Sequence, residues 1–225
     1  MENKSVALDG PSGAGKSTLA RKAAERFEYI YVDTGALYRC IGLYVLRKGI
    51  SSNDEAQVIT ELQNINLEMS YNEDGVQRMI LNGEDVTEQI RTPEVSTYAS
   101  DVSAMPAVRE FLLNMQRDMA KKYNTIMDGR DIGTVVLPNA GLKVFLVADA
   151  EVRAKRRYDE LIARGATVNF EDVLRDMNQR DKNDSEREAA PLKAADDAVT
   201  LDTTALNFEE SLDALCNIIS ERFGY

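Results

Sequence analysis

Gly10-Pro11-Ser12-Gly13-Ala14-Gly15-Lys16-Ser17 satisfies G-x-x-x-x-G-K-[ST] at every fixed position, and Thr18 follows it. The glycines let a short loop curl so that its backbone N–H groups point inward. A helix that begins where the loop ends adds its first-turn amides and the positive end of its dipole. The Lys16 ammonium suits the β- and γ-phosphates of a nucleoside triphosphate, and the Ser17 hydroxyl suits a Mg²⁺ ion. The loop alone does not fix where the γ-phosphoryl goes. Water as acceptor implies a switch or motor, and a second small molecule implies a kinase.

Arginines bear on that choice. Bringing two anionic nucleotides together requires cations on both phosphates, and the guanidinium fork matches phosphate geometry. Arg39 follows Thr34 by five residues, Arg130 stands in "MDGRDIG" just past an apolar run, and Arg180 and Arg187 are seven apart in a charge-dense segment. On a helix, seven positions is about two turns, which would return both to one face of a mobile lid. A guanine-reading N-K-x-D motif is absent, because Asp181-Lys182-Asn183-Asp184 has the wrong order.

These residues need a scaffold that brings loop ends together. Ser5–Asp9 reads as a buried strand and Lys16–Phe27 as the helix after it. Residues 29–32 form a second short apolar run, and Asp33-Thr34-Gly35 then signals a helix start. Further apolar runs at 125–127, 143–148 and 198–201 alternate with helical patterns. Strand–helix alternation predicts an α/β fold with a mostly parallel sheet covered on both faces. The middle of the chain breaks this rhythm. Leu67, Met69 and Tyr71 alternate with polar residues, Asn72-Glu73-Asp74-Gly75 turns the chain, and 76–81 returns it, which predicts a hairpin. Helices are predicted at 93–103 and at Pro106–Lys122, each with proline in its first turn.

Composition narrows the field. The chain has 225 residues, 44% of them apolar, and carries a formal charge of -11. That charge argues against nucleic acid or an anionic membrane as partner. No histidine is present, which removes Ser-His-Asp and Cys-His catalysis. Cys40 and Cys216 cannot build a zinc site and read as reduced thiols of a cytoplasmic protein. No signal peptide or membrane-length apolar run is seen.

The segments "LDGPSGAGKST", "VDTGALYR", "LNGEDVTEQIRTPEVSTYAS", "PAVRE", "DGRDIGTVVLPNA", "NQRD" with "DSEREAAPL", and "LDTT" run through nearly the whole chain. In order and spacing they resemble the bacterial cytidylate kinases of the nucleoside monophosphate kinase family. The resemblance implies ATP + CMP (or dCMP) giving ADP + CDP (or dCDP), with Mg²⁺, in pyrimidine metabolism. It implies a P-loop NTPase-type three-layer fold with a five-stranded parallel core over 1–33 and 104–225, a lid at about 155–190, and an inserted monophosphate-binding domain over 34–103 containing a small antiparallel sheet. By matching positions, the cytosine contacts fall on Ser100, Arg109 and Asp131. Arg39 and Arg130 take the CMP phosphate, and Arg180, Asp184 and Arg187 take lid positions near the ribose and the transferring phosphoryl. Thr34 stands where relatives often have serine, keeping the hydroxyl among the CMP-binding residues. A monomer is implied. Asp33 and Asp128 end strands at the catalytic edge, and each suits either a Mg²⁺-bound water or a cap. Arg157 is expected to brace ATP; Arg153 and Arg156 share its helix, and the three cannot all share one face. Two rivals stay open: a kinase for UMP or a nonpyrimidine monophosphate, and a nucleotide-driven switch.

Overall fold

The computed structural model describes residues 3–163 and 165–225. Met1, Glu2 and Arg164 fall in the expected core and lid ranges and lie outside the described residues. The chain divides into two compact units, one running through Tyr31 and from Tyr123 to Tyr225, the other spanning Val32–Lys122.

The first unit is built on a five-stranded sheet in the order β2-β6-β1-β7-β8. Its strands are β1 (Ser5–Asp9), β2 (Ile30–Asp33), β6 (Thr125–Gly129), β7 (Leu142–Val147) and β8 (Val199–Asp202). The strands β3 (Leu67–Tyr71), β4 (Gln77–Leu81) and β5 (Glu84–Asp85) form a separate antiparallel sheet. β1 pairs in parallel with β6 from Ser5↔Thr125 to Asp9↔Gly129, and with β7 up to Asp9↔Phe145. This register brings the carboxyl ends of β1 and β6 level, so the loops after them emerge side by side. Helices α1 (Lys16–Phe27) and α8 (Phe208–Phe223) cover the sheet. Leu19, Ala20, Ala23 and Ala24 of α1 and Leu212, Leu215 and Ile219 of α8 share one apolar cluster with Val6, Leu8, Ile126, Val144 and Leu146. α6 (Ala150–Ala163) and α7 (Phe170–Glu186) form a hairpin with its own small core of Ala154, Val173 and Met177.

The second unit wraps around α2 (Thr34–Arg47), whose buried residues run along much of its surface. Leu37, Cys40 and Ile41 pack with Met79 and Leu81 of β4, Val95 and Val102 of α4 (Pro93–Val102), and Val108 and Leu112 of α5 (Pro106–Lys122). α3 (Glu55–Glu61) adds Val58 to this cluster. A Cβ at Gly42 would lie 2.8 Å from the Ala99 amide nitrogen, so this glycine sets how closely α2 and α4 approach. The hairpin turn forms as the sequence predicts, with Asn72 Oδ1 accepting from the amides of Asp74 and Val76 and Gly75 at φ 72°. β5 is a third strand that its two-residue length concealed. The expected domain boundary at 103 precedes α5, whereas α5 groups with the second unit because Val108 and Leu112 belong to its core.

Residues 132–136 wind into one π-helical turn. One local expectation needs correction. Arg180 and Arg187 do not share a helix face: α7 ends at Glu186, and Arg187 is its C-cap in extended conformation, φ -61°, ψ 140°. The Leu192 amide donates to Asp184 C=O and Ala190 takes φ 51°, so the chain folds back and carries Arg187 with it. The charge-dense segment is helical through Glu186 because Val173 and Met177 pin it to Ala154.

Candidate active site

The loop after β1 takes the backbone shape its glycines predict. Gly10, Gly13 and Gly15 have φ of 151°, 71° and 86°. At Gly10 a Cβ would stand 2.2 Å from the Leu146 carbonyl oxygen, a backbone atom that cannot yield. α1 follows with Gly15 at its N-cap and no side chain capping it, so its first-turn amides suit an anion. Lys16 is buried, and its Nζ donates to Pro11 C=O at 2.7 Å, tying the loop across its own mouth. Burial drives this ammonium well below the usual lysine value, and the Arg130 charge adds to the effect, while Asp128, Asp9 and Asp184 oppose it.

The neighbouring hairpin holds the loop from outside. Arg153 donates to Ser12 C=O at 2.8 Å and pairs with Asp181, whose other oxygen accepts from the Ser12 amide at 3.2 Å. Both backbone groups of Ser12 are thus engaged by side chains of α6 and α7. Arg156 instead donates to the carbonyls of Thr203 and Leu206, and Arg157 pairs with Glu160 at 2.8 Å. The three arginines of α6 do three different things, as their spacing requires.

Ser17 Oγ donates to Asp128 Oδ2 at 2.8 Å, and Tyr31 OH donates to Asp128 Oδ1 at 2.9 Å. Asp9 is buried and its carboxylate accepts from the amides of Ile132 and Gly133 at 2.8 and 2.7 Å. Burial pushes the Asp9 carboxyl up to about 6 in spite of those two bonds. This anchor starts the π-helical turn and so fixes the backbone just beyond Arg130 and Asp131.

Arg130, Arg180 and Arg187 come together around one carboxylate. Arg130 Nε donates to Asp184 Oδ2 at 2.9 Å, and Arg187 lies 3.8 Å from Asp184 Oδ1 and 3.5 Å from Asp131 Oδ1. Burial pushes the Asp184 carboxyl up, but Arg130, Arg180 and Arg187 more than offset it and hold it below the usual carboxylate value. The cluster therefore carries three positive charges against the carboxylates of Asp184 and Asp131 within the unit that holds the phosphate loop.

The other candidate residues lie in the second unit. Thr34 is buried at the start of α2, and Asp33 caps that helix by accepting from the Ala36 amide at 2.9 Å. Arg39 pairs with Asp33 at 2.7 Å. Arg109 donates to Ser103 C=O at 3.0 Å and stacks its guanidinium 5.6 Å from the Tyr38 ring centre. Ser103 Oγ in turn donates to Ser100 C=O at 2.8 Å, so Ser100 and Arg109 are brought together through Ser103. Sequence reasoning overlooked Asp9, Asp181 and Ser103, none of which belongs to a motif with chemistry of its own. For Asp9 a signal existed, since a carboxylate ending a fully buried strand must find donors.

A glycine loop between a central strand and its helix, on a five-stranded sheet of this order, defines a P-loop nucleotide-binding protein. A solved protein of uncharacterised function from Eubacterium ventriosum shares this fold at a TM-score of 0.51 and 13% identity, covering 99% of each chain. Residues 6–221 match the cytidylate kinase family profile. A cytidylate kinase of Caldicellulosiruptor bescii is 49% identical over 97% of this chain and 96% of its own length. One from Caldicellulosiruptor saccharolyticus is 48% identical over 100% and 99%. The chain belongs to the cytidylate kinase family. No described helix is long and apolar enough to cross a membrane.

Proposed function

We propose that this protein transfers the γ-phosphoryl group of ATP to CMP or dCMP, giving ADP and CDP or dCDP. The observation that carries the reading is the meeting of Arg130, Arg180 and Arg187 on Asp184, in a chain whose family is that of the cytidylate kinases. Three arginines kept together against their mutual repulsion supply the charge that two facing phosphate groups need.

In this reading the amides of Gly10–Thr18 and Lys16 hold the triphosphate, and Arg157 braces ATP from α6. Lys16 exchanges its bond to Pro11 for a phosphate oxygen. Ser17 Oγ and Asp128 offer the one or two hard oxygens that a Mg²⁺ ion bound mainly by phosphate and water accepts from a protein. Mg²⁺, when bound, neutralises charge on the β- and γ-phosphates. Asp33 is the poorer candidate of the two carboxylates, since it is ion-paired with the guanidinium groups of Arg39 and Arg91, whereas Asp128 accepts from the hydroxyls of Ser17 and Tyr31. CMP is held by Thr34 and Arg39, by Ser100, Arg109 and Asp131 at the base, and by Arg130, Arg180, Asp184 and Arg187. A carboxylate at Asp131 accepts from the cytosine N4 amino group, while Arg109 and a serine hydroxyl serve N3 and O2. The attacking phosphate oxygen is already anionic at neutral pH, so no general base is required, in keeping with a chain that lacks histidine. Val32–Lys122 acts as the monophosphate-binding unit and the α6–α7 hairpin as the lid. We take the protein to act as a cytoplasmic monomer on small nucleotides; its charge of -11 supports small-molecule partners over nucleic acid or an anionic membrane.

ADP release coupled to a reporter, measured with CMP, dCMP, UMP, AMP and no acceptor, tests this. CMP and dCMP are expected to drive rapid turnover and the acceptor-free reaction to be slow. ADP release that CMP does not accelerate refutes it.

A further inference from the structure

Asp33 carries two arginines on one oxygen. Oδ2 accepts from Arg39 at 2.7 Å and lies 3.5 Å from a terminal nitrogen of Arg91, while Oδ1 is committed to the Ala36 amide. The backbone of Asp33 is fixed as well, because the Gln77 amide accepts from its N–H at 2.8 Å and donates to its C=O at 3.2 Å. The carboxylate cannot turn away from either arginine without breaking the helix cap. Burial works against its charge, but Arg39 and Arg91 outweigh that and hold its pKa below the usual value.

The balance of this group is positive. Two guanidinium charges meet one carboxylate, in a chain whose total charge is -11. Arg39 Nε is a buried donor with no acceptor among the described residues. Arg91 leaves 43% of its side chain exposed, so the rest of its fork can reach a solute. An unneutralised charge, a buried donor lacking an acceptor and an exposed planar fork together suit an oxyanion. The unit that contains them, Val32–Lys122, is not the one with the phosphate loop, and the triphosphate already has Lys16. Within this unit, Arg39 by itself would offer a monophosphate dianion a cation largely answered by Asp33, and Arg91 adds the charge that Asp33 takes up.

We infer that Arg91 acts with Arg39 as a second phosphate-binding residue for the acceptor nucleotide, with Asp33 as the positioning residue that sets the pair. This rests on the acceptor being a nucleoside monophosphate. The test is calorimetric binding of CMP and of cytidine to the wild type, Arg91→Ala and Arg91→Lys, with KM for CMP and ATP measured alongside. Arg91→Ala is expected to weaken CMP about tenfold or more, as loss of a charge-assisted bond does. It should leave cytidine binding and the KM for ATP unchanged, and Arg91→Lys should recover part of the loss. Equal weakening of CMP and cytidine, or an unchanged KM for CMP with a lowered Tm, makes Arg91 merely a partner of Asp33 and overturns the inference. Wild-type protein that does not turn over CMP overturns the acceptor reading itself and this inference with it, an outcome the wild-type arm tells apart from the others.

Discussion

Replacing Asp184 by asparagine asks whether its charge is what lets three arginines share one site. The side chains of Asp184, Arg130 and Arg187 are 7%, 20% and 6% exposed, so solvent screens them poorly. Asparagine keeps the shape and one acceptor oxygen but leaves the guanidinium groups to repel each other. Removing one partner of a buried ion pair costs about 3–5 kcal/mol. The retained acceptor and the exposed fifth of Arg130 favour the lower end, roughly 3 kcal/mol. For a chain of this size each kcal/mol moves Tm by about 2–4 °C, so a fall of about 6–12 °C is expected at pH 7. The sign of the pH dependence follows from the lowered carboxyl. Its folded value lies below the unfolded one of about 3.9, so its contribution is present above that pH and is lost as pH falls through the folded value. Thermal or urea unfolding of both proteins at pH 7 and near pH 3 should therefore show a gap that narrows in acid. An unchanged midpoint at pH 7, or an equal gap at both pH values, refutes the argument.

Lys16→Ala should lower kcat by at least about a hundredfold with little loss of Tm, because the ammonium is buried at a cost; near-normal turnover would remove it from the phosphate site. The Asp9 carboxyl should titrate near pH 6 by carbon-detected NMR, and because burial raises it in the fold, stability from this group rises as pH falls from about 6 toward 4. Asp9→Asn should abolish that rise; a midpoint near 4 in the wild type would mean that the amides of Ile132 and Gly133 outweigh burial. Asp131→Asn should lower the ratio of kcat/KM for CMP over UMP, since an amide can also donate; an unchanged ratio would move base reading elsewhere.

Much of the scaffold was legible because the signals are local. The phosphate loop needs a fixed spacing of glycine, lysine and serine, and the turn at Asn72–Gly75 needs residues that tolerate its backbone. Arg180 and Arg187 show where local reasoning stops. Helical periodicity put them on one face, but the helix ends between them, and Ala190 in the left-handed region turns the chain.

The sequence by itself determined the alternation of strands and helices, the triphosphate loop and the kinship to a family, all properties of neighbours along the chain. The tertiary structure decided which charges meet. Asp9 reaches the amides of Ile132 and Gly133, Asp181 reaches Ser12, and Asp33 joins Arg39 to Arg91 across separations that no local period encodes. The physical reason is that a buried charge must find a partner in space, and sheet register and helix ends, set by packing of the whole unit, choose which one it finds.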